Sequence, residues 1–204
     1  MREIYQSGVT PQQKLVGVNN KFGNTGIKDQ QGTSRIIYDS LLYNTSASTQ
    51  TFRFFEDSAS RNFPLTNTGS DGNKLGVGDT MVIQSIGIYY FFVDRTTKEI
   101  TWGAPLINAQ RYFNLSLINF EIANNKVIKK VTLTETNRAY NKNTSTDNNV
   151  IVLETQIVLP PLLPYILELQ VPLAGSITPP ANNDVYLQAQ IIGTGGIIAP
   201  RTTF

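Results

Sequence analysis

The chain contains neither cysteine nor histidine among its 204 residues. Without thiolates and imidazoles it lacks the ligands that structural zinc and iron–sulfur sites require. The same absence removes every catalytic arrangement built on a nucleophile and a histidine, together with the commonest general base. The composition therefore argues against an enzyme, and no metal or cofactor is expected.

Charged residues are scarce, at 16% of the chain, and the 17 Lys and Arg nearly balance the 15 Asp and Glu. The basic residues are scattered, and pairs such as Lys129-Lys130 are the densest groups. A nucleic-acid-binding face needs a basic cluster that neutralises several phosphates, so no nucleic-acid partner is expected. The polar surface must instead consist of Asn, Thr, Ser and Gln, which suits repeated contacts with other proteins.

Long uninterrupted apolar runs are also missing. The longest apolar stretch, residues 150–169, is interrupted by prolines and by charged and amide side chains, so it cannot span a bilayer as a helix. The first eight residues, MREIYQSG, have no apolar core of the kind a signal peptide needs. We therefore expect no membrane partner.

The pattern that does recur is alternation of apolar and polar residues. It is found in residues 151–159, 167–173 and 185–191, whereas no segment repeats apolar residues at helical spacing. Each alternating segment predicts a strand with one face on a core and the other in water. Two further strands are predicted over residues 34–43 and 51–55.

Residues 113–133 predict a hairpin with an irregularity. Asn124-Asn125 separates two alternating segments, and Asn tolerates the positive φ of a tight two-residue turn. Before this turn the apolar phase shifts by one residue, which predicts a β-bulge near Leu117-Ile118.

The run Thr80 to Val93 becomes apolar on both sides toward its end, as Tyr89-Tyr90-Phe91-Phe92-Val93. A strand of this kind is buried on both faces or lies in a subunit interface. A polar turn follows, and residues 98–102 are predicted to return as a short partner strand.

These patterns predict one all-β domain over residues 1–204. We expect an antiparallel β-sandwich, with a jelly roll as the favoured form, of about eight to ten strands. Gly and Pro are frequent near both ends, so residues 1–32 are predicted to form an N-terminal arm and residues 193–204 a C-terminal arm. Residues 137–149 and 178–184 are predicted to be loops.

Four short motifs resemble functional sites, and a structural interpretation is favoured for each. Glu56-Asp57-Ser58 fits a solvated strand end, since adjacent carboxylates on a strand point to opposite faces. Thr68 to Asn73 lacks the full set of calcium ligands and fits a turn. Gly193 to Gly196 lacks the lysine of a phosphate loop, and Pro161 to Pro164 fits a corner between strands. No catalytic, cofactor-binding or metal-binding residue is assigned.

Exposed aromatic side chains could still form a platform for a sugar. Aromatic residues in strands usually belong to a core or an interface, so this interpretation ranks second. The candidates are Trp102, Tyr89, Tyr90, Tyr112 and Tyr140.

Two segments carry a resemblance to a known family. Residues 61–67 read RNFPLTN after an aromatic strand, and residues 73–81 read NKLGVGDTM before a long apolar strand. Together with the C-terminal ending APRTTF, they resemble jelly-roll auxiliary or minor capsid proteins of tailed phages, of the type found in crAss-like viruses of Bacteroidetes hosts. The resemblance transfers no catalytic or ligand residue. It does not extend to the major capsid protein, whose fold carries a long helix.

The resemblance implies a structural virion protein that decorates or completes a capsid or head-fibre base. Its expected partners are copies of itself, as a homo-oligomer such as a trimer, and other capsid proteins. Its expected location is the virion, after assembly in the host bacterial cytoplasm. The alternative is a carbohydrate- or receptor-binding β-sandwich module of a phage fibre.

Overall fold

The computed structural model describes residues 30–45, 50–69, 72–77, 79–102, 115–132, 150–171 and 177–198. These residues contain nine strands and one short 3-10 turn, Ser58–Ser60, and no α-helix. In that part of the chain, no helix is long and apolar enough to cross a membrane. The strands are β1 (Gln30–Tyr43), β2 (Gln50–Phe54), β3 (Thr80–Asp94), β4 (Ile100–Trp102), β5 (Leu117–Ile122), β6 (Asn125–Thr132), β7 (Val150–Leu159), β8 (Tyr165–Val171) and β9 (Asn183–Ile198).

The strands form two antiparallel sheets. The first, sheet A, has the order β1-β9-β3, and β7 and β4 pair with successive parts of the other edge of β3. The second, sheet B, has the order β2-β8-β5-β6. The predicted return strand is confirmed as β4, whose Trp102 lies opposite Phe91.

The connectivity is that of a jelly roll. Four antiparallel pairs, β1 with β9, β2 with β8, β3 with β7 and β5 with β6, are wrapped so that every connection except β3–β4 and β5–β6 crosses from one sheet to the other. Strand β4 is an addition at the edge of sheet A. The predicted all-β antiparallel sandwich is therefore confirmed.

The core lies between the sheets and is made by the alternation seen in the sequence. Each large side chain moved from water into it contributes about 1.5–3 kcal/mol to stability. From sheet A the core receives Met81, Ile83, Ile86, Ile88, Leu187 and Ile191, and from sheet B it receives Phe52, Phe54, Ile118, Phe120, Tyr165, Leu167 and Leu169.

Strand β3 is buried on both faces within one chain. Ile86 and Ile88 point into the core, whereas Val82 and Phe91 are 0% and 1% exposed without belonging to it. Phe91 is instead covered in part by the rings of Tyr186 and Trp102. The apolar character of this run therefore does not require a subunit interface.

The predicted hairpin is confirmed, with its tip one residue earlier than expected. Strands β5 and β6 are joined by Ala123 and Asn124, and Ile122 pairs with Asn125. Both turn residues have positive φ, 49° and 66°, as this tight turn requires.

An irregularity is present near the predicted position, between Ile118 and Phe120 in the pairing of β5 with β6, but the extra residue belongs to β6. Strand β5 begins at Leu117 and pairs with β8 without interruption as far as Ile122. The phase change therefore marks the start of the strand. The irregularities lie in the pairing with β6, where Lys130 has φ 48° and donates its N–H to the side-chain oxygen of Asn119 at 2.8 Å.

The predicted boundaries of both arms are wrong. Strand β9 continues to Ile198 between β1 and β3, so residues 193–198 belong to the middle of sheet A. Strand β1 begins at Gln30, which removes residues 30–32 from the N-terminal arm. Gly193 serves close strand packing, since a Cβ at this position would clash with the carbonyl oxygen of Val82. Residues 1–29, 137–149 and 199–204 lie outside the described residues.

Candidate functional surfaces

The segment that carries the family resemblance holds the sandwich together. Arg61 forms two hydrogen bonds with the carboxylate of Asp39, Nε to Oδ1 at 2.9 Å and a terminal nitrogen to Oδ2 at 2.6 Å. Asp39 is fully buried on the inner side of β1 and also accepts the Phe55 N–H at 2.7 Å. The buried charge is thus paired and hydrogen-bonded, as its burial requires.

The same segment covers the outer edge of β1. The side-chain amide of Asn67 accepts the Tyr38 N–H at 2.7 Å and donates to the Ile36 carbonyl at 2.8 Å. Thr66 donates its hydroxyl to the Tyr38 carbonyl at 3.0 Å. An edge strand with its backbone groups satisfied in this way does not present a template for another chain.

The second half of the segment is equally structural. The Leu75 carbonyl accepts the Leu162 N–H at 2.9 Å, and Asp79 forms a salt bridge with Arg35 at 3.0 Å. The RNFPLTN and NKLGVGD motifs therefore tie the β2–β3 connection to both sheets, and their Asn67, Lys74 and Leu75 line a small cavity of about 60 Å³.

The other short motifs also have structural surroundings. Glu56 and Asp57 are exposed at the end of β2, and Glu56 pairs with Arg53 at 3.0 Å. Residues 161–164 form the corner between β7 and β8, and Gly193 to Gly196 lie within β9. No group of acidic side chains that could hold a metal ion occurs in the described ranges.

An apolar groove lies between the edge strands of the two sheets, β6 in sheet B and β7 in sheet A. Its cavity of about 600 Å³ is called the edge groove here. Within the described parts of the chain, β6 pairs only with β5 and β7 only with β3. The lining residues are Ile122, Ala123, Asn125, Val127, Ile128, Leu153, Thr155, Ile157, Val158, Pro160 and Leu163.

The two sides of the sandwich therefore differ. On the β1 side, the edge of sheet A is covered by Thr66 and Asn67. On the opposite side, the edge groove exposes apolar side chains, of which Val127 is 46% exposed. An apolar concavity of this size is a feature of binding surfaces.

The outer face of sheet A carries a second distinctive surface. Leu42, Tyr186, Phe91 and Trp102 lie opposite one another on β1, β9, β3 and β4, and are called the aromatic row here. Phe91 stacks on Tyr186 at a ring distance of 5.5 Å and contacts Trp102 at 5.1 Å. Trp102 and Leu42, at the two ends of the row, are 57% and 56% exposed.

Polar groups gather beside one end of this row. Arg95 donates from Nε to Asp184 at 2.8 Å, and both line a cavity of about 360 Å³ that also contacts Leu42 and Asn183. Burial raises the pKa of the Tyr186 hydroxyl, and the Asp184 carboxylate raises it further. Tyr186 therefore stays a neutral hydrogen-bonding group around neutral pH.

The adjoining β3–β4 turn is held by Asp94. Its carboxylate accepts the N–H groups of Thr96 and Thr97 at 2.7 and 2.8 Å. These bonds, that of Thr97 most strongly, lower the pKa of Asp94 from its usual value. Arg95 belongs to this turn, so the turn fixes the position of the Arg95 guanidinium beside Asp184.

The sequence-derived sugar-binding candidates separate into three groups. Trp102 belongs to the aromatic row, and Tyr89 lies on the same face with its ring over Gly87. Tyr90 points into the core and is 9% exposed. Tyr112 and Tyr140 lie outside the described residues. Sequence reasoning missed Tyr186, although its place in the polar register of an alternating strand could have indicated the outer face.

No protein-family model, curated protein or solved structure matches the chain.

Proposed function

We propose that the protein is a structural component of a bacteriophage virion, where it decorates or completes the capsid by contacts with copies of itself and other capsid proteins. The edge groove is the observation that carries this proposal. The jelly roll is a scaffold of viral capsid proteins as well as of lectins, so the fold supports the role without specifying it. The low charge of the chain, 16%, adds to this support.

The occupant proposed for the edge groove is a second copy of the chain. Phe63 is 83% exposed at the tip of the turn 62–65, which is closed by a hydrogen bond from the Leu65 N–H to the Asn62 carbonyl. This Phe63 tip is flanked by Arg61 and Thr66, which both bind β1, so it lies on the side of the sandwich opposite the edge groove. One chain thus carries an apolar projection and an apolar concavity on opposite sides.

A tip-to-groove contact is heterologous, because different surfaces of the two copies meet. When such a contact is repeated from copy to copy, the copies form either a closed ring or an open array. The trimer expected from the sequence is one such ring. Burial of one Phe contributes about 1.5–3 kcal/mol, whereas association costs about 4–15 kcal/mol. A single contact is therefore weak, and stable assembly needs many subunits or the surface of a particle.

The first prediction tests both partners of this contact. Val127→Asp in the edge groove and Phe63→Asp at the tip should each abolish concentration-dependent self-association, measured by size-exclusion chromatography with light scattering. Ile100→Asp is the matched control, because Ile100 is also an exposed β-branched strand residue, at 37% against 46% for Val127, but lies on β4 opposite Val93, away from the tip segment and the groove lining. Ile100→Asp should associate like the unsubstituted protein, and thermal melting should show that all three variants fold.

A mixture of the two defective variants sharpens the test. Val127→Asp retains the tip and Phe63→Asp retains the groove, so an equimolar mixture at high protein concentration should give a weak heterodimer, detected by chemical cross-linking, that neither variant forms alone and that does not grow further. If cross-linking of the concentrated mixture gives no heterodimer, or if Ile100→Asp is as defective as the other two, the tip-to-groove contact is refuted. The virion assignment is tested separately by mass spectrometry of purified phage particles, in which the absence of this chain would count against it.

A further inference from the structure

We infer that the aromatic row and the adjoining Arg95–Asp184 pair form a binding site for a neutral oligosaccharide. This site lies on the outer face of sheet A, away from the Phe63 tip and the edge groove. The inference is therefore independent of the proposed assembly.

The apolar part of the site matches one side of a sugar ring. A pyranose presents a face of C–H groups, which is apolar and slightly positive, and the face of an indole or phenol ring is negative. Trp102 offers such a ring at 57% exposure, and its position is held by the contact with Phe91. Phe91 is itself fixed between Trp102 and Tyr186, so the platform is rigid before any ligand arrives.

The polar part of the site lies toward the Leu42 end of the row, away from Trp102, and matches the hydroxyl groups of a further sugar unit. The Asp184 carboxylate accepts hydrogen bonds, and its side chain is 36% exposed while paired with Arg95. Arg95 is 59% exposed and keeps donors available beyond the bond to Asp184. Asn183 lines the same cavity of about 360 Å³. Carboxylate, guanidinium and amide together provide donors and acceptors for vicinal hydroxyl pairs.

The spacing indicates an oligosaccharide instead of a single sugar. Trp102 and Tyr186 are separated by one intervening strand, and neighbouring strands lie about 4.8 Å apart. The row with its polar end therefore extends over about 10–15 Å, which is the length of two to three sugar units. The opposite charges of Arg95 and Asp184 favour a neutral ligand, because a charged sugar would be repelled by one of them.

Trp102 makes the site directly observable, because it is the single tryptophan of the chain. The full-length protein is titrated with maltotriose, cellotriose, mannotriose and chitotriose while tryptophan emission is recorded. At least one trisaccharide should change the emission saturably, and calorimetry should give the same affinity. Trp102→Ala should abolish that binding. Calorimetry measures this variant, because it has no tryptophan whose emission could be recorded.

Asp184→Asn keeps the size of the side chain but removes its charge, and should weaken binding about tenfold, the loss expected for one charge-assisted hydrogen bond. Glu121→Gln is the matched control. Glu121 forms a comparable surface ion pair with Lys126 at 3.1 Å, but on sheet B, and its replacement should leave binding unchanged.

Three outcomes would overturn the inference. The first is that none of the four trisaccharides gives a saturable response. The second is that Asp184→Asn and Glu121→Gln affect binding equally. The third is that Trp102 emission shifts with protein concentration in the absence of sugar, because the aromatic row is then covered by another copy of the chain.

Discussion

At the scale of the residue, the buried carboxylate of Asp39 is the most demanding polar group among the described residues. It is 0% exposed and is neutralised by Arg61, whose side chain is only 18% exposed. Phe55, which donates its N–H to the same carboxylate, has φ 72°, an uncommon conformation for a bulky residue. The contacts of Asp39 thus stabilise both its own buried charge and the strained backbone at Phe55.

Removal of Arg61 should be costly for this reason. Arg61→Leu would leave the Asp39 charge buried with the Phe55 N–H as its remaining hydrogen-bond partner among the described residues, and the free energy of unfolding should fall by about 3 kcal/mol. Arg53→Leu is the control, since Arg53 forms an exposed pair with Glu56, and it should cost less than about 1 kcal/mol. Urea denaturation measures both values. Equal losses in the two variants would show that Asp39 does not depend on Arg61.

At the scale of the element, the C-terminal half of β9 shows what glycine does inside a sheet. Gly193 lies opposite Ile83 where the β3–β9 register shifts, and the two backbones approach too closely for any side chain. Gly195 differs, because a Cβ there would meet the Arg35 side chain at 3.1 Å instead of a backbone atom. Glycine is therefore required at the first position and merely favoured at the second.

The two glycines should respond differently to substitution. Gly193→Ala must push β9 away from β3, and should lower the free energy of unfolding by about 3 kcal/mol, at the upper end of overpacking effects. Gly195→Ala should cost about 1 kcal/mol, because the flexible Arg35 side chain can shift aside. Chemical denaturation of both variants provides the comparison. Two small and similar losses would mean that residues 193–198 do not pair tightly, as the arm interpretation required.

At the scale of the whole molecule, the two sides of the described sandwich differ in shape, and the chain carries little net charge. One side is covered by Asn67 and projects Phe63, and the other opens as the edge groove. With a formal net charge of +2, long-range repulsion between copies is small. The contacts available for assembly are mainly apolar.

Self-association should therefore be insensitive to salt. Between about 0.05 and 0.5 M NaCl, the weight-average mass from light scattering should stay constant or rise, because screening affects exposed charges and leaves apolar burial intact. A marked fall in mass with added salt would show that ion pairs drive assembly. That result would contradict the tip-to-groove contact even if particles contain the protein.

The strands were predictable because the alternation that makes them is local. Residues 167–171 and 185–191 read as half-buried strands from neighbouring residues alone, and Asn124 marked the hairpin because a tight turn needs positive φ. The absence of two residue types could likewise be read directly from the sequence. Without His and Cys, whole classes of site were excluded before any fold was known.

What the sequence by itself determined is thus the β class, most strand positions and the lack of histidine- and cysteine-based chemistry. Only the tertiary structure decided that Gly193 to Ile198 form a central strand. A glycine-rich segment is compatible with a sheet or with an extended tail, and here the close approach of β3 places it in the sheet. The tertiary structure also decided the pairing of Asp39 with Arg61, the aromatic row and the edge groove. Each of these depends on which strands become neighbours, and β1 and β9 meet across a separation of 148 residues at Ser40 and Gln188. Local periodicity indicates that a residue faces one side of a strand, but the partner on that side is set by packing of the whole chain.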